Sequence, residues 1–487
     1  MRMMARRWFD NIVGAMMLAG LSFLNMVIWA VNPLAATVLL VLAVLFTLAM
    51  FFTEAGIYAV LFVNPFDRLT AVAAGSPITL TKVLLLCVGG AVFVKKILYR
   101  DNQFLPRLFD NGVTISSYAF LLFSFASVLN ANDYELFSGQ MIRRTSVLLL
   151  YLLLILSLQR PDQLYRIFKF LLMAYVFIGM TGLYELISTE SILQLRFGNM
   201  ADFALYALSE SDGIRISGPY GDPNFHAVAM FIPLALTIAF FYLKRHWAIR
   251  LLMLFLFAFF MINLLATNSR GGLVGSFFIF GAMYIFLRFR YKLLFPFVAG
   301  ILAAVIVGAY MTLFPAATVE RYSGESGWQS IKQRIGLIEM SVDAIRDEPL
   351  LGIGTGNFIS KYQHYMNEKV PRHPLWPHNS ILQAWAENGI FGLLAFLAVL
   401  GFATRNVLVV AFQERDPLRH TMAVTVGSVI AGYWFFAAVN NVLENQDYWI
   451  IFSFSVALYR WHLEERSTGR RMDGSPLFEG DHQAARS

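Results

Sequence analysis

His378 stands with Pro377, Asn379 and Ser380 at the end of the longest polar stretch in an otherwise apolar sequence. Histidine is the one side chain that takes and returns a proton near neutral pH without help from its neighbours, which makes His378 a candidate catalytic base. After His378 and Asn379 come nine residues, Gly389, two more residues, Gly392 and a further apolar run. Two arginines carry a second kind of chemistry. Arg215 opens a turn-rich stretch ending in Gly221, Asp222, Pro223 and Asn224; Arg270 lies in Ser269, Arg270, Gly271, Gly272, squeezed between two apolar runs. A guanidinium offers planar, bidentate donors to phosphate, and paired glycines let backbone approach a ligand closely. Two such arginines facing one leaflet would suit a lipid-linked diphosphate. Plainer roles compete: Asp222 or Asn224 as a helix cap, Arg270 as a side chain reaching the headgroups, His378 as a packing or capping group for the next helix.

The elements that must position these groups are membrane helices. Hydrophobic residues make up 58% of the 487 and charged residues 14%. Apolar runs of about 18 to 22 residues recur, long enough to cross about 30 Å of hydrocarbon. Period-two alternation is absent, and backbone groups in lipid must be satisfied within their own segment. The prediction is therefore an all-α polytopic membrane protein. Spans are predicted at about 11–30, 34–53, 78–96, 111–130, 145–158 and 167–186. Others follow at about 223–243, 249–266, 271–287, 293–314, 379–403, 420–440 and 448–460. Residues 54–66, ending in Asn64 and Pro65, read as a short or re-entrant helix, for a total of about 12–14 helices. Arg2, Arg6 and Arg7 precede the first run, which reads as a retained helix.

Basic clusters alternate along the chain, at Lys95 and Lys96, Arg160 and Arg166, Lys244 and Arg245, Arg288 and Arg290, Arg405 and Arg415. The positive-inside rule puts them, and both termini, in the cytoplasm. Loops 187–222 and 315–378 then lie outside, and the three motifs share that face. Residues 1–465 read as a single integral membrane domain and 466–487 as a polar, disordered cytoplasmic tail. Within the long loop, Ile331, Ile335, Ile338, Val342 and Ile345 share one face of a predicted helix that lies along the membrane or caps the bundle.

The formal charge of +7 follows from the cytoplasmic loops and does not argue for nucleic acid. Cys87 is the single cysteine, which excludes an internal disulfide, and His364, His373 and His378 lack the helical spacing of a zinc motif. Gly352, Gly354 and Gly356 follow no strand of a nucleotide-binding unit, so a tight re-entry toward the membrane explains them better. Glu387 is costly in lipid and is predicted to face the bundle interior, orienting a substrate or pairing with a buried arginine. Lys82, Arg143 and Arg144 near the outer ends of their spans either extend a positive pocket or reach for headgroups.

Taken together, these stretches resemble the O-antigen ligase and polymerase superfamily of bacterial surface-glycan assembly. The resemblance rests on Arg215 with GDPN (221–224), SRGG (269–272), EPLLGIGTGNF (348–358) and the HN, x9, G, xx, G pattern from His378 onward. It implies a GT-C-like helical fold and a metal-independent, inverting glycosyltransferase of the bacterial inner membrane that needs no cofactor. Its donor would be a glycan on undecaprenyl diphosphate, and its acceptor a lipid-linked glycan (a polymerase) or lipid A core (a ligase). By position, Arg215 and Arg270 would hold the diphosphate and His378 would act as base or orient the acceptor, supported by Asn379, Asp222, Asn224, Glu387, Arg143 and Arg144. Membrane lipids are the remaining expected partners. The expectation leans toward polymerase. A transporter or flippase of lipid-linked glycan is the alternative of another class; it predicts ionisable residues at mid-membrane on several spans.

Overall fold

Apolar runs closed by capping residues set the helices of the computed structural model, which describes residues 33–71, 78–99, 101, 104–188, 191–192, 215–288, 308 and 325–468. The first group is α1 (Pro33–Phe51), α2 (Thr53–Val63), α3 (Leu80–Leu98), α4 (Phe104–Arg107), α5 (Gly112–Ala126), α6 (Tyr134–Ser157) and α7 (Pro161–Ser188). A central group follows as α8 (Pro223–Ala229), α9 (Phe231–Leu243), α10 (Trp247–Ala266) and α11 (Arg270–Phe286). The last is α12 (Glu325–Asp347), α13 (Tyr362–Tyr365), α14 (Ser380–Gln413), α15 (Pro417–Val439) and α16 (Gln446–Thr468). Among the described residues the fold is all-α, with one isolated bridge between Ala71 and Thr79.

Seven described stretches are long and apolar enough to cross a membrane: α5 with its short extension, α6, α7, α8 with α9, α10, α14 and α15. The protein is a multi-pass membrane protein. The expected spans at about 11–30 and 293–314, and the polar tail from residue 469 on, lie outside the described residues. Residues 54–66 form α2 and the 3-10 turn Asn64–Phe66, where Pro65 ends the helix. The span expected at about 145–158 begins earlier, at Tyr134, because Asp133 caps it by accepting from the Glu135 and Leu136 amides.

The first half of the chain is built into the second. α14 packs most extensively on α5 and α15, α16 lies along α6, and α15 lies along α11. Two unwound segments meet where α14 crosses the glycine-rich stretch. Gly389 has φ +67, breaking α14, and a Cβ there would overlap the Leu350 carbonyl. Gly352, at φ +75, faces the Glu387–Asn388 backbone as closely. The amides of Ile353 and Gly354 donate to the carbonyls of Ala386 and Glu387 at 2.8 and 3.2 Å, and that of Ile390 donates to Pro349. Backbone freed by the break is thus satisfied by the loop, as burial requires.

A buried ion-pair network lies at the same crossing. Arg144 donates to Glu387 at 3.0 Å and to Glu444 at 2.7 Å. It also donates to Asn388 and Ser124 at 2.6 and 2.8 Å and to Thr355 at 3.2 Å. Arg144 is 2% exposed and Glu387 0%, so Arg144 neither extends a pocket surface nor reaches headgroups; it is the arginine with which Glu387 pairs.

The amphipathic helix forms as α12, but of the stripe that the isoleucine spacing predicts only Ile345 is buried, so the inward face is rotated from the expected one. Leu337, Met340, Ser341, Ala344 and Ile345 are buried, whereas Ile331, Ile335 and Ile338 are exposed. The inner face carries the small residues Gly336, Ser341 and Ala344, which let α12 come close to its neighbours.

Two outcomes test this framework. Gly389→Ala forces a Cβ against backbone at positive φ and should destabilise by at least about 1–3 kcal/mol, read as a lower melting temperature of the solubilised protein. Arg144→Met leaves Glu387 buried without its ion-pair partner and should cost about 3–5 kcal/mol; Arg143→Met, one residue away on the exposed side, should leave the melting temperature unchanged.

Candidate active site

A cavity of about 390 Å³ opens at the end of the bundle where α3, α8, α14 and α16 begin. Each of those helices runs from the cavity to a basic stretch: Lys95 and Lys96, Lys244, Arg415, and Arg460 with Arg466. Their N-termini bring the positive ends of several helix dipoles toward one space.

His378 lines this cavity, half-buried, with its backbone at φ +49. Asn379 performs the capping, accepting from the amides of Ile381 and Leu382 at 3.0 Å each. The histidine ring is thereby released from a structural role. Its Nδ1 lies 3.4 Å from Asn440 Oδ1. Burial, then the charge of Arg334, hold the imidazole below its ordinary range, opposed in part by Asp222 and by the Asn440 hydrogen bond. Ser380 pins the partner: its Oγ donates to the Asn440 carbonyl at 2.6 Å and accepts from the Val442 amide at 2.8 Å.

Asp222 and Asn224 also line the cavity. Asp222 caps α8 through the Asn224 amide at 2.7 Å. Asn224 accepts from Ser269 Oγ at 2.8 Å, joining the GDPN and SRGG stretches, and Ser269 caps α11 through the Gly272 amide. Upstream of both, Glu185 accepts from the amides of Ser217 and Gly218 at 2.6 and 2.8 Å.

Arg215 and Arg270 are both half-buried, and neither is among the residues lining the cavity. Arg215 Nε donates to the Thr267 carbonyl at 3.0 Å, which ties it to the turn preceding Arg270. Gly271, beside Arg270, packs against Val439, Phe436 and Asn440. Arg215 is thus tied to the turn before Arg270, and the glycine after Arg270 meets Asn440, the partner of His378. The cations on the cavity surface are Arg68, Lys82 and Arg143. Lys82 is paired with Asp67 at 3.1 Å. Arg143 is exposed and makes no hydrogen bond or ion pair among the described residues. Arg144 reaches the site through Glu444 and Glu387 through Gln383, both of which are on the lining.

Sequence reasoning passed over Gln140, Gln383 and the run from Asn440 through Asp447, whose polar residues contribute to the lining. That run, NNVLENQD (440–447), is a polar interruption between two apolar helices and was the available signal. Asp447 accepts from Tyr175 and Tyr220 at 2.9 and 3.3 Å, fixing the loop that carries Asp222. Trp376, whose position before a span suggests an interfacial anchor, lines the cavity and is half-buried. Among the described residues no three His, Cys, Asp or Glu side chains are grouped to hold a metal ion.

The arrangement can abstract or position a proton at His378 while presenting the positive charge of Arg68, Lys82 and Arg143 to the same cavity. Residues 252–397 match the family model described as O-antigen ligase, a segment that holds Arg270, the glycine-rich stretch and His378 but not Arg215. An O-antigen ligase of Salmonella typhimurium is 26% identical over 322 residues, covering 63% of this chain and 73% of that relative. Both matches agree with the motifs and with the helical fold that assembles them, and both support a place in the O-antigen ligase and polymerase superfamily.

Proposed function

We propose that this chain is an inverting, metal-independent glycosyltransferase of the bacterial inner membrane that moves a glycan from undecaprenyl diphosphate to a sugar hydroxyl at the periplasmic face. The observation that carries the reading is one cavity lined by His378 together with Arg68, Lys82 and Arg143, with Arg215 tied to the turn that precedes Arg270. The periplasmic assignment rests on the basic stretches at the far ends of the helices that start there.

In the proposed reaction the acceptor hydroxyl attacks the anomeric carbon from the face opposite the diphosphate. The new carbon–oxygen bond forms as the bond to phosphate oxygen breaks, and undecaprenyl diphosphate leaves with the electron pair. The hydroxyl proton passes to His378. With Nδ1 hydrogen-bonded to Asn440 Oδ1, Nε2 keeps the lone pair that accepts it. Negative charge develops on the diphosphate, and Arg215 and Arg270 meet it with fixed positive charge, aided by Arg143. Asp222, Asn224 and Asn379 act as positioning residues, since each caps or ties an element that carries one of these groups. Both comparisons carry the ligase name, which favours lipid A core as acceptor over a second lipid-linked repeat; the leaning toward polymerase had no residue behind it.

Purified protein given lipid-linked repeat alone should make no ladder, and adding lipid A core should yield a glycan–core product. Laddering without core would select the polymerase instead. His378→Ala should lower kcat about 10²- to 10⁴-fold, and unchanged transfer would remove His378 from the chemistry. Because burial and Arg334 lower its pKa, His378 stays neutral to lower pH than a free histidine. Activity should therefore persist as pH falls and be lost only through an acid limb centred below about 6.5; a limb at or above that value contradicts the assignment. Arg215→Met and Arg270→Met should each weaken donor use, and wild-type behaviour in both would sink the diphosphate site.

A further inference from the structure

Besides its charged groups, the cavity is lined by amides. Gln140 on α6, Gln383 on α14 and Asn440 beyond α15 are 7%, 1% and 4% exposed, and all three line the space. Gln140 Oε1, Gln383 Oε1 and Asn440 Nδ2 are buried without a hydrogen-bond partner, as is Oδ1 of the neighbouring Asn441. Four amides on one cavity with an orphaned polar atom apiece depart from the rule that buried polar groups are paired. Three separate elements contribute them, so no single strained loop explains the set.

The chemistry of these groups names a ligand. A carboxamide both donates and accepts, as does a hydroxyl, so a ring of amides is complementary to an uncharged, polyhydroxylated molecule. An anion fits poorly there: the adjacent carboxylates Glu444 and Asp447 line the same side. Trp376, half-buried on the lining, supplies a flat apolar face of the kind that packs against the C–H face of a pyranose ring. The volume, about 390 Å³, lies within the usual range of small-molecule sites.

We propose that Gln140, Gln383 and Asn440, with Asn441 and Trp376, form a subsite for a neutral sugar ring, and that this ring is the acceptor's. The assignment to the acceptor rests on the glycosyl-transfer reading above, because Asn440 stands 3.4 Å from Nδ1 of His378 and a ring held by it presents its hydroxyl to the base. Gln383 is held in place from the interior, since its Nε2 donates to Glu387 at 3.3 Å and so leaves Oε1 toward the cavity.

The test is equilibrium binding without donor or turnover. Full-length protein in lipid nanodiscs is mixed with methyl α-glucopyranoside or methyl α-galactopyranoside, and saturation-transfer NMR reads the contact. Wild type should give transfer to at least one glycoside. Gln383→Met and Asn440→Leu should each weaken it about threefold to tenfold, the effect of losing one net hydrogen bond. Arg346→Ala, on the exposed face of α12, should not change it. Gln140→Met reads the same subsite from another helix, and melting temperatures confirm that each variant folds. Absence of transfer in wild type, or an undiminished signal in folded Gln383→Met and Asn440→Leu, overturns the subsite. Glycan transfer to lipid A core with no glycoside binding would sink the subsite alone, and glycoside binding with no transfer would sink the reaction alone.

Discussion

An arginine enclosed among membrane-spanning helices is tolerated only if its charge is neutralised and its donors are filled. Arg144 meets both conditions by drawing on α5, α14, the glycine-rich stretch and the connection before α16. The requirement fixes more than one pair. Glu387 and Asn388 sit at the break in α14, so holding them on Arg144 holds the break in place, and the glycines at 352 and 389 allow the two backbones to meet there. Glu444 carries the constraint to the cavity edge. A fault in this network would be felt at the site without touching any group that contacts a ligand.

The motif residues divide their labour in a consistent way. In each stretch a capping residue next to the motif side chain takes up the first amides of a helix. Asn379 caps α14 and frees His378; Asp222 caps α8 beside Asn224; Ser269 caps α11 beside Arg270. The left-handed backbone at His378 and Asn268 is what a short turn into a helix demands at these points, and such conformations persist only where surrounding structure holds them. Here Ser380, bonded to Asn440 and Val442, supplies that hold. The cavity thus inherits its shape from helix starts, where orphan amides and dipoles already favour negative charge.

Much of this was legible from the chain. Hydropathy marks the spans because crossing hydrocarbon is a local demand on composition. Capping residues and prolines mark the helix starts because their hydrogen bonds reach only two or three residues. The glycine-rich stretch signalled close backbone approach, and the HN pattern identified the histidine. Less accessible was the partner across the crossing: nothing near Gly352 in sequence indicates Gly389, since each was chosen against backbone far away in the chain.

The sequence by itself determined the all-α membrane class, the helix starts and the histidine that stands at one of them, all of which depend on short-range chemistry. Only the tertiary structure decided which of Arg143 and Arg144 is buried, because adjacent helical residues point about 100° apart and packing chooses between them. It also selected the inner face of α12 from two apolar stripes and kept Arg215 and Arg270 off the cavity lining. The amides of Gln140, Gln383 and Asn440 meet on one surface for the same reason: they come from three elements, and nothing local to any of them specifies the other two.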